Sequence, residues 1–188
     1  MGRKTNKWKK RLSTALALSL LFQNFAIMGD ARTVKAADAK IELSAESIKA
    51  KSANNHGPSL IADGDYGTYW QSIPSNGEGD NRKRMYDHNH YIDITLDGTY
   101  DLSQIKIYNL VNGSFNNYYV YASADGERYD KIISKTSDDA ATEEGDSFDL
   151  GNVRASYLRL NMAYNSNAFA TNLSEIELYG SKVNDTVA

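Results

Sequence analysis

The sequence predicts an all-β fold, a β-sandwich of the jelly-roll kind, over most of its 188 residues. Apolar and polar residues alternate with a period of two in several short runs, and no run after residue 40 keeps a helical period. Turn-forming dipeptides separate these runs, and long loops occur at only a few places. A chain of this length fits one domain of ordinary size.

The first part of the chain has the pattern of a cleavable signal peptide, residues 1–36. Six positive charges precede the apolar run 12–22, and the small residues Val34 and Ala36 permit cleavage after residue 36. A cut after Ala39 fits nearly as well. The alternative is a retained membrane anchor, but polar residues end the apolar run before the roughly 20 residues that a spanning helix needs.

Removal of this segment leaves a strongly acidic chain. Residues 1–36 hold eight of the 21 Lys and Arg residues and one of the 24 Asp and Glu residues, so the remainder has a net charge of 13 − 23 = −10. Such a surface repels phosphate groups, so neither nucleic acid nor a phospholipid membrane is expected as a partner. The chain has no cysteine, which excludes disulfides and thiolate metal sites.

The predicted strands follow from alternation and from β-branched or aromatic content. In the last of them Ile176 and Leu178 are expected to face the core, with Glu175 and Glu177 facing outward. The predicted strands are residues 91–96, 105–108, 118–122, 155–162 and 173–179.

Turns and long loops complete the predicted sandwich. The predicted turns are Asp97-Gly98, Asn112-Gly113, Asp125-Gly126 and Gly151-Asn152. Function is expected in the loops 71–90, 111–116 and 163–172, because β-sandwiches place binding residues in long loops. The irregular acidic stretch 135–146 is expected only to be solvated.

Three segments carry a resemblance to a known family. They are SLIADGDYGTYWQS (59–72), NNYYVYASADGERYDKI (116–132), and YLRLNM…NLSEIELYG, which ends at Gly180. In this order they make residues 40–180 similar to discoidin-like (coagulation factor 5/8 type C) domains, and within these to the bacterial family 32 carbohydrate-binding modules. The resemblance implies a galactose-binding-domain-like sandwich, followed by a linker or tail at 181–188.

The resemblance also implies a function. Such a chain is expected to be a secreted, non-catalytic module that binds terminal sugars of glycans and holds a larger glycoside hydrolase on its substrate. Its expected partners are carbohydrate and further domains of that enzyme, and its expected location is the exterior or surface of a Gram-positive bacterium. Two alternatives remain: an adhesion domain for a protein partner, and a small secreted glycosidase that uses two carboxylates.

The segment 63–68 has the composition of a loop that binds a hard cation. Calcium takes six to eight oxygen ligands at ~2.3–2.6 Å, which closely spaced carboxylates, hydroxyls and carbonyls supply. Gly64 and Gly67 are expected to take positive φ angles in so tight a turn. The alternative is a plain surface turn beside a solvated glutamate. The expected ligands of a structural Ca²⁺ are Asp63, Asp65, Thr68 and, from the resemblance alone, Glu175.

Sugar recognition needs an aromatic ring to stack on a pyranose and polar groups to bind its hydroxyls. The loop Met162–Phe169 offers both, and the resemblance places a stacking aromatic near Phe169, whose alternative role is in the core. Galactose-binding relatives carry a histidine where this chain has Gln71, and an arginine in the loop where this chain has residues 109–112, none of which is arginine. Either another sugar or a site built from loop 71–90 is therefore expected. The predicted ligand-binding residues are Gln71, Arg84, His88, Asn112, Asn116, Tyr164, Asn167 and Phe169.

Two other features have ordinary structural explanations. Trp70 is expected to fill the core beneath the loops, because it closes the DGDYGTYW motif. The pair His88 and His90 lacks a third ligand at suitable spacing, so a zinc site is not expected and His90 is expected to precede the strand 91–96.

Overall fold

The computed structural model describes residues 38–73, 90–166 and 170–184. The predicted signal peptide and the last residues of the predicted tail lie outside these ranges. Four predicted ligand-binding residues lie outside them too, and stay predictions: Arg84, His88, Asn167 and Phe169.

The described part of the chain contains strands and two 3₁₀ turns but no α-helix, which confirms the all-β prediction. None of its elements has the length and hydropathy of a membrane-spanning helix. The 3₁₀ turns are Ala45–Ser47 and Pro58–Ala62. The strands are β1 (Ala39–Ile41), β2 (Ile48–Ala50), β3 (Trp70–Gln71), β4 (His90–Tyr108), β5 (Asn116–Ser123), β6 (Asp130–Lys135), β7 (Asp146–Asn165), β8 (Asn172–Leu173) and β9 (Glu175–Lys182).

All strand pairs in the described part are antiparallel. One sheet has the order β1-β9-β4-β7-β5-β6, with β2 also paired to β4, and β3 pairs with β8 in a separate two-stranded sheet. The first half of β4 pairs with β2 and the second half with β9, while β7 pairs along both halves. The sheet therefore folds over on itself through its two longest strands.

Two predicted turns are bends within these long strands, and the prediction that they end strands is wrong. The register of β4 against β7 shifts between Thr95 and Tyr100, around Asp97-Gly98. In β7, Gly151 and Asn152 take φ angles of 58° and 70°. Both dipeptides favour the left-handed or irregular backbone of a tight turn, which a bulge that bends a strand also needs.

The alternating residues pack into one apolar core. Trp70 is fully buried and its Nε1 donates to the Ser52 carbonyl at 3.0 Å, which confirms its predicted role. His90 is buried at the first position of β4, with Nδ1 3.2 Å from Ser52 Oγ. Core side chains predicted to face inward and found buried include Ile92, Ile94, Ile105, Ile107, Leu158, Leu160, Met162, Ile176 and Leu178.

Candidate functional site at the loop end

Several strand ends meet at one end of the folded sheet, which we call the loop end. The end of β4 pairs with the start of β9 through Tyr108↔Glu175, and the start of β5 pairs with the end of β7 through Asn116↔Asn165. The segments that join these strands therefore lie side by side, as a composite binding surface requires. Strand β7 continues to Asn165, so the predicted loop 163–172 is shorter than expected.

Asn116 is a buried hub beneath the loop end. Its Nδ2 donates to Asn109 Oδ1 at 2.8 Å, and its Oδ1 accepts from Asn165 Nδ2 at 2.8 Å and from Thr171 Oγ1 at 3.2 Å. Only 1% of the residue is exposed. Its prediction as a ligand-contacting residue is therefore wrong in this structure, because its side-chain amide already bonds to four interior residues, the fourth through the Asn172 carbonyl.

Lys135 fastens the acidic stretch 136–145 to the loop end. This buried ammonium donates to the Asn116 carbonyl at 3.1 Å and lies 3.5 Å from the carbonyls of Ser137 and Asp139. Asn117 Nδ2 adds a bond of 2.9 Å to the Ser137 carbonyl. The stretch is irregular as predicted, but it is anchored to the domain and not simply solvated.

The segment Asp63–Thr68 folds as a compact polar loop. Asp63 accepts from the Asp65 N–H at 2.9 Å and from the Thr68 hydroxyl at 2.9 Å, and Asp65 Oδ1 accepts from the Gly67 N–H at 2.8 Å. Gly64 has φ 78°, as predicted. Gly67 does not take a positive φ, so that part of the prediction is wrong; its N–H is instead turned onto Asp65.

Glu175 lies against this loop and is buried, with 2% exposure. Its side of β9 lies away from the apolar core, as predicted, but β1 and the Asp63 loop cover it, so the alternative of a solvated glutamate is wrong. Burial and the nearby Asp63 carboxylate raise the pKa of Glu175 to about 7. Its Oε2 has no hydrogen-bond partner among the described residues.

The donor set around Glu175 fits a hard cation. A cleft of about 150 Å³ lies between Glu175, Asp63, Gly64 and the 40–43 segment. A buried carboxylate with an unpaired oxygen beside a second carboxylate is an arrangement that a divalent cation relieves. Within the described ranges no three His, Asp or Glu side chains cluster as metal ligands, so carbonyl and hydroxyl oxygens would have to complete the coordination shell.

Glu177 forms a second polar cluster that the sequence analysis missed. Its Oε1 accepts from Lys40 Nζ and Tyr66 OH, both at 2.8 Å. Its Oε2 accepts from Tyr179 OH at 3.0 Å and Tyr108 OH at 3.2 Å. Burial alone would raise the pKa of Glu177, but the bonds from Lys40, Tyr66 and Tyr179 outweigh it and lower the pKa to about 2. Alternation alone placed Glu177 on the outer side of β9 and could not reveal the tyrosines that cover it.

Gln71 belongs to a polar and aromatic group that the sequence analysis only partly found. Its Oε1 accepts from Asn54 Nδ2 at 2.5 Å, and its backbone pairs with the 54–56 segment. The His56 imidazole stacks on the Tyr69 ring, with centroids 4.3 Å apart and planes 13° apart. We call Asn54, His56, Tyr69 and Gln71 the Gln71 patch.

The remaining described candidates lie along the neighbouring segments. Asn112 is exposed, and its Oδ1 accepts from the Ser114 N–H at 3.0 Å, which shapes the predicted turn. Tyr164 is half-buried at the end of β7, with its ring 5.7 Å from that of Phe115. Both therefore lie at the loop end.

The family assignment follows from sequence comparison. The profile of the F5/8 type C domain matches residues 42–176. The chain belongs to the F5/8 type C domain family. This confirms the resemblance to discoidin-like domains. No curated protein sequence matches the chain significantly.

Solved structures share the fold of this F5/8 type C domain. A family 89 glycoside hydrolase from Clostridium perfringens, in complex with 2-acetamido-1,2-dideoxynojirmycin, is 32% identical over 77% of this chain, with a TM-score of 0.63. The match covers only 15% of that enzyme's chain.

Isolated modules match over almost their whole length. The CBM32 of AlyQ, in complex with 4,5-unsaturated mannuronic acid, has a TM-score of 0.61 and 16% identity over 74% of this chain and 97% of that module. CpGH89CBM32-5 from Clostridium perfringens, in complex with GalNAc-β-1,3-galactose, has a TM-score of 0.57 and 16% identity over 74% of this chain and 99% of that module. At this identity the likeness establishes the fold.

Proposed function

We propose that this F5/8 type C domain is a secreted, non-catalytic carbohydrate-binding module that holds a larger glycoside hydrolase on its substrate. The observation that carries the proposal is the family match together with the likeness to a domain-sized part of a glycoside hydrolase. Modules of the same fold are solved with sugars bound. The segment 1–36 would direct export. Residues 181 and 182 of the predicted tail belong to β9, so the linker to the next domain would begin after Lys182.

The Gln71 patch is the proposed centre of sugar binding. Amide and imidazole groups bind sugar hydroxyls, and an aromatic ring packs against the apolar face of a pyranose. The chain has Gln71, and not a histidine, directly after Trp70. His56, from a different loop, brings an imidazole close to Gln71 instead. The proposed site extends from the patch to Asn112 and Tyr164, and to the sequence-predicted residues Arg84, His88, Asn167 and Phe169.

The rival function as a glycosidase has less support. Glycosidases need two carboxylates about 5–9 Å apart on either side of an accessible glycosidic bond. Asp146 is engaged by Tyr118 OH at 2.6 Å and Asn109 Nδ2 at 3.2 Å, and Glu177 accepts four bonds. Glu175 is buried beside Asp63. These carboxylates are better placed to hold segments together than to attack a sugar.

Sugar binding at the Gln71 patch is tested by calorimetric titration of the protein with GalNAc-β-1,3-galactose and related disaccharides. Gln71→Ala and His56→Ala should each weaken binding about tenfold, which corresponds to about 1.4 kcal/mol. Asn55→Ala, an exposed residue of the same segment, is the matched control and should bind as the wild type does. Equal affinities in all four proteins would remove the patch from the site.

We further propose a structural Ca²⁺ held by Asp63, Asp65, Thr68 and Glu175 with neighbouring carbonyls. The ion would neutralise the crowded carboxylates of Asp63 and Glu175 and tie the loop to β9. Calcium at about 100 times its Kd should stabilise the protein by about 2.7 kcal/mol and raise its Tm by about 5–10 °C.

Glu175→Gln is the test variant for calcium, with Asp125→Asn as an acidic control outside the loop. The glutamine variant should lose the calcium-dependent rise in Tm, whereas the control should keep it. A wild-type melting curve that is the same in calcium and in chelator would refute the proposed ion.

A further inference from the structure

A second cleft lies at the loop end, beside the 109–111 segment, and none of the Gln71 patch residues lines it. Its volume of about 470 Å³ is within the range of small-molecule sites, about 300–1,000 Å³. We call it the tyrosine cleft. The residues that matter for its chemistry are Tyr66, Tyr108, Leu110, Val111, Glu143 and Ser174.

The aromatic wall of the tyrosine cleft is fixed in place before any ligand binds. The rings of Tyr66 and Tyr108 meet edge to face, with centroids 4.7 Å apart and planes at 80°. Both hydroxyls donate to Glu177, so neither side chain can swing to another χ1 rotamer without losing a charged hydrogen bond. Tyr66 is 48% exposed and Val111 51% exposed, which leaves apolar surface open at the cleft. Preorganised aromatic surface lowers the entropic cost of binding a ring.

The segment 142–143, which also lines the cleft, is anchored to the rest of the domain. Thr142 and Glu143 come from the acidic stretch that Lys135 anchors, and the Ala141 N–H donates to the Ser114 carbonyl at 2.9 Å. At the base, Ser174 is 2% exposed and its hydroxyl has no partner among the described residues. Buried hydroxyls in native proteins nearly always have a partner, so this one is a group for a ligand hydroxyl or a water to satisfy.

The charge of the cleft selects against anionic ligands. Among the described residues that line it, none is Lys or Arg, and Glu143 supplies a carboxylate. Glu177 lies directly behind the two tyrosines. A sugar that carries a carboxylate would meet like charge without a cation to pair with, which costs binding energy.

We propose that the tyrosine cleft is a second saccharide-binding site, which takes a neutral pyranose ring against Tyr66 and Tyr108. The inference deepens the proposed carbohydrate binding and rests on it. Two weak sites on one domain, when both reach the same glycan, raise retention on a surface without any new contact. Binding at this cleft would give Tyr66 and Tyr108 a role in sugar recognition that is separate from that of the Gln71 patch.

The experiment is an NMR titration of the isotope-labelled protein with GalNAc-β-1,3-galactose and, in parallel, with trigalacturonate. The neutral disaccharide should shift two separate groups of amides, one around Gln71 and one around Tyr66, Tyr108 and Val111. Trigalacturonate should leave the second group unmoved. Tyr66→Ala should weaken binding at the second group at least tenfold and leave the first unchanged.

Two further variants serve as a block of the cleft and as a control. Val111→Arg puts a bulky side chain at the rim of the cleft without altering the Asp63 loop, and should also abolish the second group of shifts. Tyr129→Ala removes a tyrosine that packs near Arg159 on another face and should change neither group. Shifts around Gln71 alone would overturn the second site but not the proposed function, whereas no shifts with any sugar would overturn both.

Discussion

At the residue scale, the carboxylate of Glu177 joins β1, the Asp63 loop, β4 and β9 through four hydrogen bonds. Tyr108 and Tyr179 are half-buried, whereas Lys40 and Tyr66 are exposed, so the carboxylate draws two solvent-facing side chains and two half-buried ones to one point. Because the carboxylate is charged, its hydrogen bonds are stronger than those between neutral groups. Glu177 therefore sets the positions of Tyr66 and Tyr108 and connects the proposed calcium loop with the tyrosine cleft.

Glu177→Gln should destabilise the protein by about 1–3 kcal/mol. The amide has one oxygen, so it accepts from one pair of donors and leaves the other pair without an acceptor. Urea denaturation measures the change, and Glu46→Gln, an exposed substitution of the same type, should cost almost nothing. Equal midpoints for the two variants would show that the cluster contributes little to stability.

Asp125 gives a prediction about pH. Its Oδ1 accepts from the Glu127 N–H at 2.9 Å, the Arg128 N–H at 3.0 Å and the Ser123 hydroxyl at 2.9 Å. These bonds lower the pKa of Asp125 from its ordinary 3.8 to about 2. A lowered pKa means that the stabilisation is present above pH 3.8 and is lost as the pH falls toward 2.

Asp125→Asn should therefore lower the Tm by about 2–4 °C at pH 6, since it removes the charge and keeps the shape. The difference between wild type and variant should shrink from pH 4 downward and be mostly lost by pH 2, where about half of the wild-type side chains are protonated. A difference that stays constant from pH 6 to pH 2 would contradict the assignment of the lowered pKa to these bonds.

At the scale of elements, the Asn116 hub is the physical basis of the loop end. It connects the start of β5 with the 109 segment, the end of β7 and the segment before β8. Such a buried network specifies one arrangement of the loops because each member is satisfied only in that arrangement.

Asn116→Ala should destabilise the protein by about 3 kcal/mol or more, because it leaves several buried groups without partners. The neighbouring Asn117→Ala is a matched control, since Asn117 Nδ2 makes one bond, to the Ser137 carbonyl, and should cost about 1 kcal/mol. Chemical denaturation of both variants makes the comparison. A similar cost for the two would mean that the network has no cooperative role.

The strands were largely predictable and their connections were not. Alternation identified inward-facing residues of β4, β7 and β9, because a half-buried strand has an unavoidable period of two. The dipeptides at 97–98 and 151–152 were interpreted as turns because a bulge and a turn need the same backbone angles. Local sequence does not say whether the chain continues in the same strand after such a bend.

The site was only partly predictable for a related reason. The composition of 63–68 indicated a cation loop, but alternation could not show that β1 and this loop cover Glu175. Asn116 was predicted to contact ligand because the sequence around a loop asparagine does not show whether its side chain faces solvent or a buried network. The pairing of His56 with Tyr69 depends on a contact between two loops, which the sequence alone does not specify.

At the scale of the whole molecule, the domain is an acidic β-sandwich of the F5/8 type C family with a buried polar network beneath its loop end. The net charge of −10 outside the segment 1–36 disfavours anionic surfaces and favours neutral glycans. A single shallow sugar site binds weakly, so retention of a parent enzyme would depend on several contacts acting together. The Gln71 patch and the tyrosine cleft, as two proposed sugar sites on one domain, would strengthen retention in the same way.

The most direct test of the central claim is binding of the purified protein to a panel of immobilised glycans in the presence of calcium, with the glycans analysed afterwards for cleavage. We expect selective binding to neutral glycans that is reduced in Gln71→Ala, and no cleavage products. Cleavage of any glycan would contradict the non-catalytic role. An absence of binding across the panel would contradict carbohydrate binding itself.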